Sequence, residues 1–306
     1  ELLQANTHRR GLARPLRLSS VVATLYVVST PIGNLGDLSI RATEILSSVY
    51  RVLSEDTRRT RVLINHIGSD VPLVSLHAHN EEQRISRVLE WLEGGRDLAL
   101  VSDAGTPLIS DPGDRVVSAA IGAGHVVIPI PGPSAVLASL VASGLTTSGF
   151  SFYGFPERKG RRRTHLMEII RDAEHPVVLF ESPQRLAKLL NELSEVCGIN
   201  RSAAVARELT KVHENIRRGT LGELYSFYQD HVPKGEVTIV ISGMGREALS
   251  DREKNRSKEA HALAQELEEM GMKASEAAKE VASRLDLPRN EAYRIVLETR
   301  KTIGEV

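Results

Sequence analysis

Residues 98–113 read LALVSDAGTPLISDPG. The first five residues are a short apolar stretch, typical of a β-strand that is buried on both faces of a parallel sheet. A loop rich in glycine and proline follows at once, where parallel sheets bind ligands, beyond the carboxyl ends of their strands. Glycine lets a ligand approach the backbone closely, and proline stiffens the loop. The stretch therefore predicts a strand that carries a binding loop.

The same arrangement recurs on both sides of this stretch. LYVVS (25–29) precedes TPIGNLGD (30–37), and VVIPI (126–130) precedes PGPSA (131–135). YRVL (50–53) is a further strand candidate. Amphipathic helix patterns lie between the strands, the clearest being residues 80–95, where Asn80 is a candidate N-cap with Gln83 in the capping-box position. This alternation predicts an N-terminal α/β domain over residues 24–145 with a mostly parallel sheet.

A second alternation predicts a second α/β domain over residues 146–246. The linker before it is ASGLTTSG (142–149), which is small, polar and contains glycine. The strand candidates are SFYG (151–154), VVLFE (177–181), AAVAR (203–207) and VTIVI (237–241). Helix patterns lie near residues 161–173, 184–195 and 221–230.

The two ends of the chain differ from these domains. Residues 1–23 are rich in arginine with a single acid and predict a disordered tail, or alternatively an organelle transit peptide. Residues 255–303 contain no strand pattern and predict three short helices that resemble a helix-turn-helix module. The alternative for this module is a helical appendage that docks on the body or on a partner subunit.

Composition excludes several classes of protein. The chain has 306 residues, enough for about two domains. Its single cysteine, Cys197, excludes an intrachain disulfide, and its sequence has no apolar stretch long enough to span a bilayer. The phosphate loop GxxxxGK[ST], the dinucleotide fingerprint GxGxxG after the first strand and the nucleophile elbow GxSxG are all absent. His77 and His79 form HAH, but no nearby pattern completes a metal site, so we expect none.

Five stretches together resemble a known family. They are TPIGNLGDLSIRA (30–42), SEDTR (54–58), LVSDAGTPLISDPG (100–113), IPGPSA (130–135) and RELTKVHE (207–214). Their order and spacing resemble the ribosomal RNA small-subunit methyltransferase I family of the tetrapyrrole methylase superfamily, and the resemblance covers about residues 24–303. It implies two α/β domains with an S-adenosylmethionine cleft between them, a homodimer and a cytoplasmic location. It also implies 2′-O-methylation of a cytidine, position 1402 in rRNA numbering, in 16S rRNA of the small ribosomal subunit.

The resemblance also implies which residues bind the cofactor. They are Pro31, Asp103, Gly105, Thr106, Ser134, Ala135, Phe180 and Glu181, with Glu208 and Val237 completing the site. This sequence departs from the family at FESPQR (180–185), where a YESPHR-like run is more usual. Gln184 therefore stands where the family has a histidine. Because glutamine preserves hydrogen bonding, we expect that position to be structural.

Methyl transfer to a ribose hydroxyl needs alignment, exclusion of water and a general base. The candidates for a catalytic role are Asp56, Lys211 and His79, each near the end of a predicted strand. Asp56 has an alternative role as a helix cap, and Lys211 as a solvated loop residue. The residues alone leave the identity of the base open.

Local charge is the sequence signal for RNA, since the 39 basic and 39 acidic residues cancel. ERKGRRR (157–163) supplies the candidate phosphate contacts Arg158, Lys159, Arg161, Arg162 and Arg163, and Arg58 is a further candidate. A solvated basic face is the alternative. Two other functions stay open at this point: a small-molecule tetrapyrrole methylase and a non-catalytic ribosome-assembly factor.

Overall fold

The computed structural model describes residues 23–145, 148–285 and 287–304. Apart from Ala23, the predicted N-terminal tail lies outside the described residues. Residues 146 and 147, at the predicted boundary between the two α/β domains, lie outside them too.

The first sheet has five parallel strands in the order β3-β2-β4-β1-β5. The strands are β1 (Thr24–Val28), β2 (Arg51–Ser54), β3 (Leu73–Ser75), β4 (Leu98–Val101) and β5 (Val126–Ile130). The parallel sheet is as predicted, and the central strand β4 is buried along its whole length. Strand β5 was expected to be buried but lies at the edge, so Val126 and Ile128 are exposed. The sequence missed β3, which has three residues only and no alternation to reveal it.

Helices cover both faces of this sheet. They are α1 (Ile40–Ser48), α2 (Thr57–His66), α3 (Glu81–Glu93) and α4 (Asp114–Gly122). The next helix, α5 (Ala135–Ser143), follows β5 but packs on the second sheet. Helix α3 begins after Asn80 as predicted, but the predicted capping hydrogen bond is wrong. The Asn80 Oδ1 atom instead accepts a hydrogen bond from the His77 backbone N–H at 2.9 Å, which shapes the turn before the helix.

The second sheet is mixed, with the order β6-β7-β10-β8-β9. Its strands are β6 (Ser151–Phe152), β7 (Val177–Glu181), β8 (Ser202–Arg207), β9 (Asn215–Thr220) and β10 (Val237–Ile241). Strand β10 runs antiparallel to both β7 and β8. The sequence missed β9, because NIRRGT is polar and pairs only at the sheet edge. Helices α6 (Arg161–Arg171), α7 (Pro183–Cys197) and α8 (Leu221–Tyr228) accompany these strands.

Helix α5 ties the two sheets together. It follows β5 of the first sheet, and its residues Val136 and Leu140 pack on Val178, Ala204 and Val240 of the second sheet. The helix thus holds the loops that follow β1, β4 and β5 opposite the end of β7 and the start of β10. This juxtaposition creates the space described below.

Three helices form the C-terminal module: α9 (Arg246–Glu269), α10 (Ala274–Leu285) and α11 (Arg289–Gly304). They share an apolar core of their own, which includes Leu267, Val281 and Ile295. Three helices were predicted, but α9 begins before residue 255. In the part of the chain that the structure describes, no helix combines the length and apolar character needed to cross a membrane.

Candidate active site

A cavity of about 400 Å³ lies between the two sheets. One wall comes from the loops after β1, β2, β4 and β5, and the other from the end of β7 and the start of β10. Ile32, Glu55, Arg59, Asp103, Ala104, Gly105, Thr106, Ile109, Ser110, Asp111, Ser134, Ala135 and Val136 line the first wall. Phe155, Phe180, Glu181, Ser182, Pro183, Gly235, Glu236, Val237 and Thr238 line the second. Its volume suits a ligand of cofactor size.

Backbone and hydroxyl contacts fix the loops of the first wall. Thr30 and Gly105 exchange two backbone hydrogen bonds, which join the loops after β1 and β4. Gly105 has a φ of 81°, a conformation that glycine adopts without strain. The Thr106 hydroxyl is 3.0 Å from the Ser29 hydroxyl and donates to the Pro133 carbonyl at 3.3 Å. The loops after β1, β4 and β5 therefore form one connected surface.

The first wall is acidic. The Asp103 Oδ1 atom accepts a hydrogen bond from the Asp56 backbone N–H at 3.0 Å, and its Oδ2 atom is 3.3 Å from Arg59 Nη1. Burial and the nearby Asp103 charge raise the pKa of Glu55. Burial, reinforced by the charge of Glu55, raises the pKa of Asp111 to about 6. Three carboxyl groups beside one arginine favour a cationic ligand here.

The second wall combines a buried carboxylate with aromatic rings. The Glu181 Oε1 atom accepts two hydrogen bonds, one from the Ser182 backbone N–H at 2.7 Å and one from Arg185 Nε at 2.6 Å. The Phe180 ring packs against the rings of Phe152 and Phe155, with centroids 4.9 and 5.4 Å apart. This wall therefore combines a buried, ion-paired carboxylate with flat apolar surfaces.

Comparison with known proteins identifies the family. Residues 24–225 match the family model of tetrapyrrole (corrin/porphyrin) methylases. A ribosomal RNA small subunit methyltransferase I of Synechocystis sp. is 42% identical over 275 residues, covering 90% of this chain and 97% of the relative. The Bacillus subtilis protein of the same name is 37% identical, covering 90% and 94%. The chain belongs to the ribosomal RNA small subunit methyltransferase I family of tetrapyrrole methylases.

Solved structures of other tetrapyrrole methylases share the fold of this family member. A cobalt precorrin-4 methyltransferase has a TM-score of 0.58 at 17% identity, covering 75% of this chain and 98% of its own. A Thermus thermophilus uroporphyrin-III C-methyltransferase complexed with S-adenosyl homocysteine has a TM-score of 0.52 at 17% identity, covering 71% and 96%. The two-sheet α/β fold expected from the sequence is thereby confirmed.

Most residues expected to bind a cofactor in this methylase meet at the cavity. Those that line it are Asp103, Gly105, Thr106, Ser134, Ala135, Phe180, Glu181 and Val237. Ser134 also caps α5 through a hydrogen bond from the Leu137 backbone N–H. Two others lie aside: Pro31 lines a neighbouring depression with Leu63, and Glu208 lies behind Gly235, bound to Lys211. Cofactor binding by these residues stays a prediction.

The three candidate catalytic residues lie elsewhere: among the described residues, those lining the cavity do not include Asp56, Lys211 or His79. Asp56 caps α2, and hydrogen bonds from the side chain and backbone of Arg58 hold the pKa of Asp56 well below its usual range. Burial opposes ionisation of Lys211, but hydrogen bonds to Glu208 and Glu236 raise the pKa of Lys211. His79 is exposed, with its ring 6.0 Å from that of His77. The catalytic roles of all three residues stay predictions. The contacts of Asp56 stabilise the start of α2, and those of Lys211 hold it against Glu208 and Glu236.

The predicted RNA contacts divide into two groups. Arg158, Lys159, Arg161 and Arg162 are exposed in the loop before α6 and on its first turn. Arg163 is only 12% exposed and binds Glu192 and the Glu157 carbonyl. Arg58 is exposed but is paired with Asp56 through two hydrogen bonds. The exposed basic loop therefore consists of residues 158–162, and Arg163 helps to hold it on the body.

Sequence reasoning missed part of the lining. Arg59 and Asp111 were not predicted as site residues, although each lies within or beside a motif at a strand end. The sequence SDPG (110–113), at the end of the stretch 98–113 and so in the loop after a predicted strand, could have indicated Asp111 as a lining residue. Nothing in the sequence pattern distinguishes Arg59 from Arg58, because only the helical phase of α2 decides which one faces Asp103.

Proposed function

We propose that this protein transfers a methyl group from S-adenosylmethionine to the ribose 2′-hydroxyl of a cytidine, position 1402 in rRNA numbering, in 16S rRNA of the small ribosomal subunit. The observation that carries the proposal is the placement of the basic loop. Residues 158–162 follow Phe155, which lines the cavity, and they are exposed. The candidate phosphate-binding residues therefore follow, within a few positions of the chain, a side chain that lines a cavity suited to a cofactor.

The residues present fit S-adenosylmethionine. The cofactor carries a sulfonium and an ammonium charge, and Glu55, Asp103 and Asp111 supply carboxyl groups on the first wall. Glu181 has an oxygen, Oε2, that is buried without a hydrogen-bond partner among the described residues. At Gly235 an added Cβ would lie 2.0 Å from Glu208 Oε1, so the backbone there packs closely behind the cavity. The relative complexed with S-adenosyl homocysteine has the same fold.

The cofactor supplies an activated methyl group when it is bound. The chain must then bring the ribose hydroxyl into line with that group and exclude water. The connected loops around Thr30, Gly105 and Thr106 hold the first wall rigid through backbone contacts. The basic loop binds the RNA backbone and presents one nucleotide, which must leave its stack to enter the cavity.

A homodimer and a cytoplasmic location belong to the same proposal. The edge strand β5 exposes Ile128, and α5 exposes Leu137 and Val141 one turn apart. An unpaired edge beside exposed apolar side chains is a surface that a second copy can cover. Light scattering in solution tests the dimer, and a monomer would contradict it. The location follows from the proposed substrate, the small ribosomal subunit.

The two alternatives are not favoured. The relatives that cover 90% of this chain are named for ribosomal RNA, and the tetrapyrrole enzymes of solved structure resemble it at only 17–20% identity. A non-catalytic role would leave the acidic first wall of the cavity without a purpose.

The test is methyl transfer from labelled S-adenosylmethionine to small ribosomal subunits that lack the modification. Naked 16S rRNA and a tetrapyrrole precursor are assayed alongside, and the labelled nucleotide is mapped. Label on a cytidine ribose of 16S rRNA is the expected result. Label on the tetrapyrrole, or no label despite cofactor binding, would overturn the proposal.

A further inference from the structure

The loop between β8 and β9, residues 208–214, reaches from the second sheet to the loop after β1. The stem of its Lys211 side chain lies directly against Gly33: a Cβ added at Gly33 would overlap Lys211 Cγ and lie 2.8 Å from Lys211 Cε. Only a residue without a side chain allows this close approach. Ile32, the neighbour of Gly33 in the chain, lines the first wall of the cavity. The lysine stem therefore packs against the loop that supports that wall.

The ammonium end of Lys211 is fixed at the second wall. Its Nζ atom donates hydrogen bonds to Glu208 Oε1 at 2.9 Å and to Glu236 Oε2 at 3.1 Å. Glu208 Oε1 also accepts a hydrogen bond from the Glu236 backbone N–H at 3.0 Å, and a Cβ added at Gly235 would overlap the same oxygen. Gly235 and Glu236 both line the cavity. A single side chain thus contacts the supports of both walls, with its stem at the first and its charge at the second.

The backbone of the 208–214 loop is strained on both sides of this contact. Glu208 and Thr210 have φ of 51° and 66°, in the left-handed region that residues with side chains rarely adopt. The Thr210 hydroxyl oxygen is also buried without a hydrogen-bond partner in the part of the chain that the structure describes. Such costs persist where the surroundings fix the backbone, and they cluster at ligand clamps and active sites. The contacts of Lys211 with both walls are what fixes this loop.

We propose that Lys211 is a positioning residue for the cofactor. By contacting both walls it sets the distance between the loop after β1 and the start of β10, and so the width of the cavity that S-adenosylmethionine enters. Among the described residues Lys211 does not line the cavity itself, so it acts through the backbone at Gly235 and Glu236 and through the loop at Gly33. Glu208 acts in the same indirect way, by holding the ammonium. This inference rests on the proposed function.

Lys211→Met tests the contact at the second wall, because it keeps most of the stem and removes the ammonium. We expect the Kd for S-adenosylhomocysteine, measured by calorimetry, to rise about tenfold, while the KM for small ribosomal subunits stays within about twofold. Lys188→Met is the matched control, since Lys188 on α7 is 72% exposed and lies 4.0 Å from Glu192. A lower Tm with an unchanged Kd would show a purely structural role and overturn the proposal. A lower kcat with an unchanged Kd would place Lys211 in the chemistry and overturn it too.

Gly33→Ala tests the contact at the first wall and leaves the ammonium in place. Its methyl group would displace the Lys211 stem, so the Kd for S-adenosylhomocysteine should again rise about tenfold. Gly36→Ala is the matched control in the same loop, because the nearest atom to its added Cβ is Asn34 Oδ1 at 3.1 Å, on the same side of the cleft. Neither glycine has a left-handed φ, so alanine can adopt both backbone conformations. Equal Kd values for the two variants would overturn the proposal.

A double substitution shows whether the two positions act through one contact. In a Lys211→Ala chain the overlapping stem atoms are gone, and only Thr210 Oγ1 lies near the added Cβ of Gly33, at 3.0 Å. Adding Gly33→Ala to that chain should therefore change the Kd for S-adenosylhomocysteine by less than about twofold. A second tenfold loss would mean that Gly33 acts independently of Lys211, and would overturn the proposal. If the wild-type protein does not bind S-adenosylhomocysteine, the proposed function fails; if it binds and the variants bind equally well, only the role of Lys211 fails.

Discussion

Thr30 and Gly105 are joined by two backbone hydrogen bonds, from Thr30 N–H at 2.9 Å and from Gly105 N–H at 3.0 Å. The pair is an isolated antiparallel bridge between loops that follow two neighbouring parallel strands, β1 and β4. It fixes the loop after β4, which contributes most of the first wall, to the loop after β1, which contributes Ile32. The bridge requires the left-handed conformation of Gly105, with φ of 81°.

Gly105→Ala should weaken cofactor binding by distorting this bridge. A non-glycine residue at positive φ costs roughly 1–2 kcal/mol, and the new Cβ would lie 3.4 Å from Ile32 Cγ2 inside the cavity wall. We expect a lower Tm together with a higher Kd for S-adenosylhomocysteine. Gly68→Ala is the control, because Gly68 has φ of 69° and open space around its Cβ position. That variant should lose similar stability and keep its cofactor affinity. Equal Kd values for both variants would contradict the role of the bridge.

Asp111 gives the protein a specific dependence of stability on pH. Burial raises the pKa of Asp111 from 3.8 to about 6 in the folded chain. The folded state therefore binds this proton more tightly than the unfolded state, and the contribution of Asp111 to stability falls as pH rises from about 4 to 6. Above that window the charged, half-buried carboxylate is destabilising.

Asp111→Asn should consequently raise the free energy of unfolding at pH 7.5 but not at pH 4. Because solvent screens a half-exposed group, the gain should be of order 1 kcal/mol. The same variant removes a negative charge from the first wall, so its affinity for S-adenosylmethionine should fall. Urea unfolding at the two pH values and calorimetric titration measure these effects. Equal stability differences at both pH values would show that the gain does not come from ionisation.

The sequence predicts the loops of this site well because their signals are local. Glycine and proline after an apolar stretch define the turn at Gly105 without knowledge of any neighbour. Ser134 and Phe180 were implied as lining residues by the family resemblance, and both positions lie close to the end of a predicted strand. The residues that were missed depend on tertiary contacts. Arg59 reaches Asp103 only because of the way α2 packs on the first sheet, and no spacing in the sequence records that contact.

The basic run ERKGRRR shows the same limit within a few residues. Its charge is visible in the sequence, but the direction of each side chain depends on where α6 begins. The helix starts at Arg161, after Gly160 with φ of 96°, and its third residue turns toward α7. Arg163 is thereby placed against Glu192, whereas Arg162 is 89% exposed. Their equal charge in the sequence could not show that Arg163 is buried and Arg162 is exposed.

Arg163→Ala should therefore destabilise the fold, whereas Arg162→Ala should not. The Arg163 substitution removes the hydrogen bonds to Glu192 and to the Glu157 carbonyl, and it leaves Glu192 without its main partner. We expect a loss of about 2 kcal/mol. Arg162 is 4.0 Å from the Glu157 carboxylate and solvent-exposed, so its loss should change stability by less than about 0.5 kcal/mol. Urea denaturation measures both, and similar losses would contradict the inward placement of Arg163.

Charge reversal in the exposed part of the basic loop should weaken RNA binding without affecting cofactor binding. Arg158→Glu with Arg161→Glu replaces two exposed cations in the loop and on the first turn of α6, neither of which lines the cavity among the described residues. Each lost phosphate contact should lower the salt dependence of binding by about one unit in the log–log slope.

Arg41→Glu with Arg87→Glu, on α1 and α3 of the first sheet, changes the net charge equally and is the control. Affinity for small ribosomal subunits is measured between 50 and 200 mM salt, about the range over which phosphate contacts respond, and S-adenosylhomocysteine affinity is measured by calorimetry. A weaker subunit affinity and a shallower slope in the loop variant alone are expected. If both double variants lose affinity equally, net charge rather than the loop governs RNA binding.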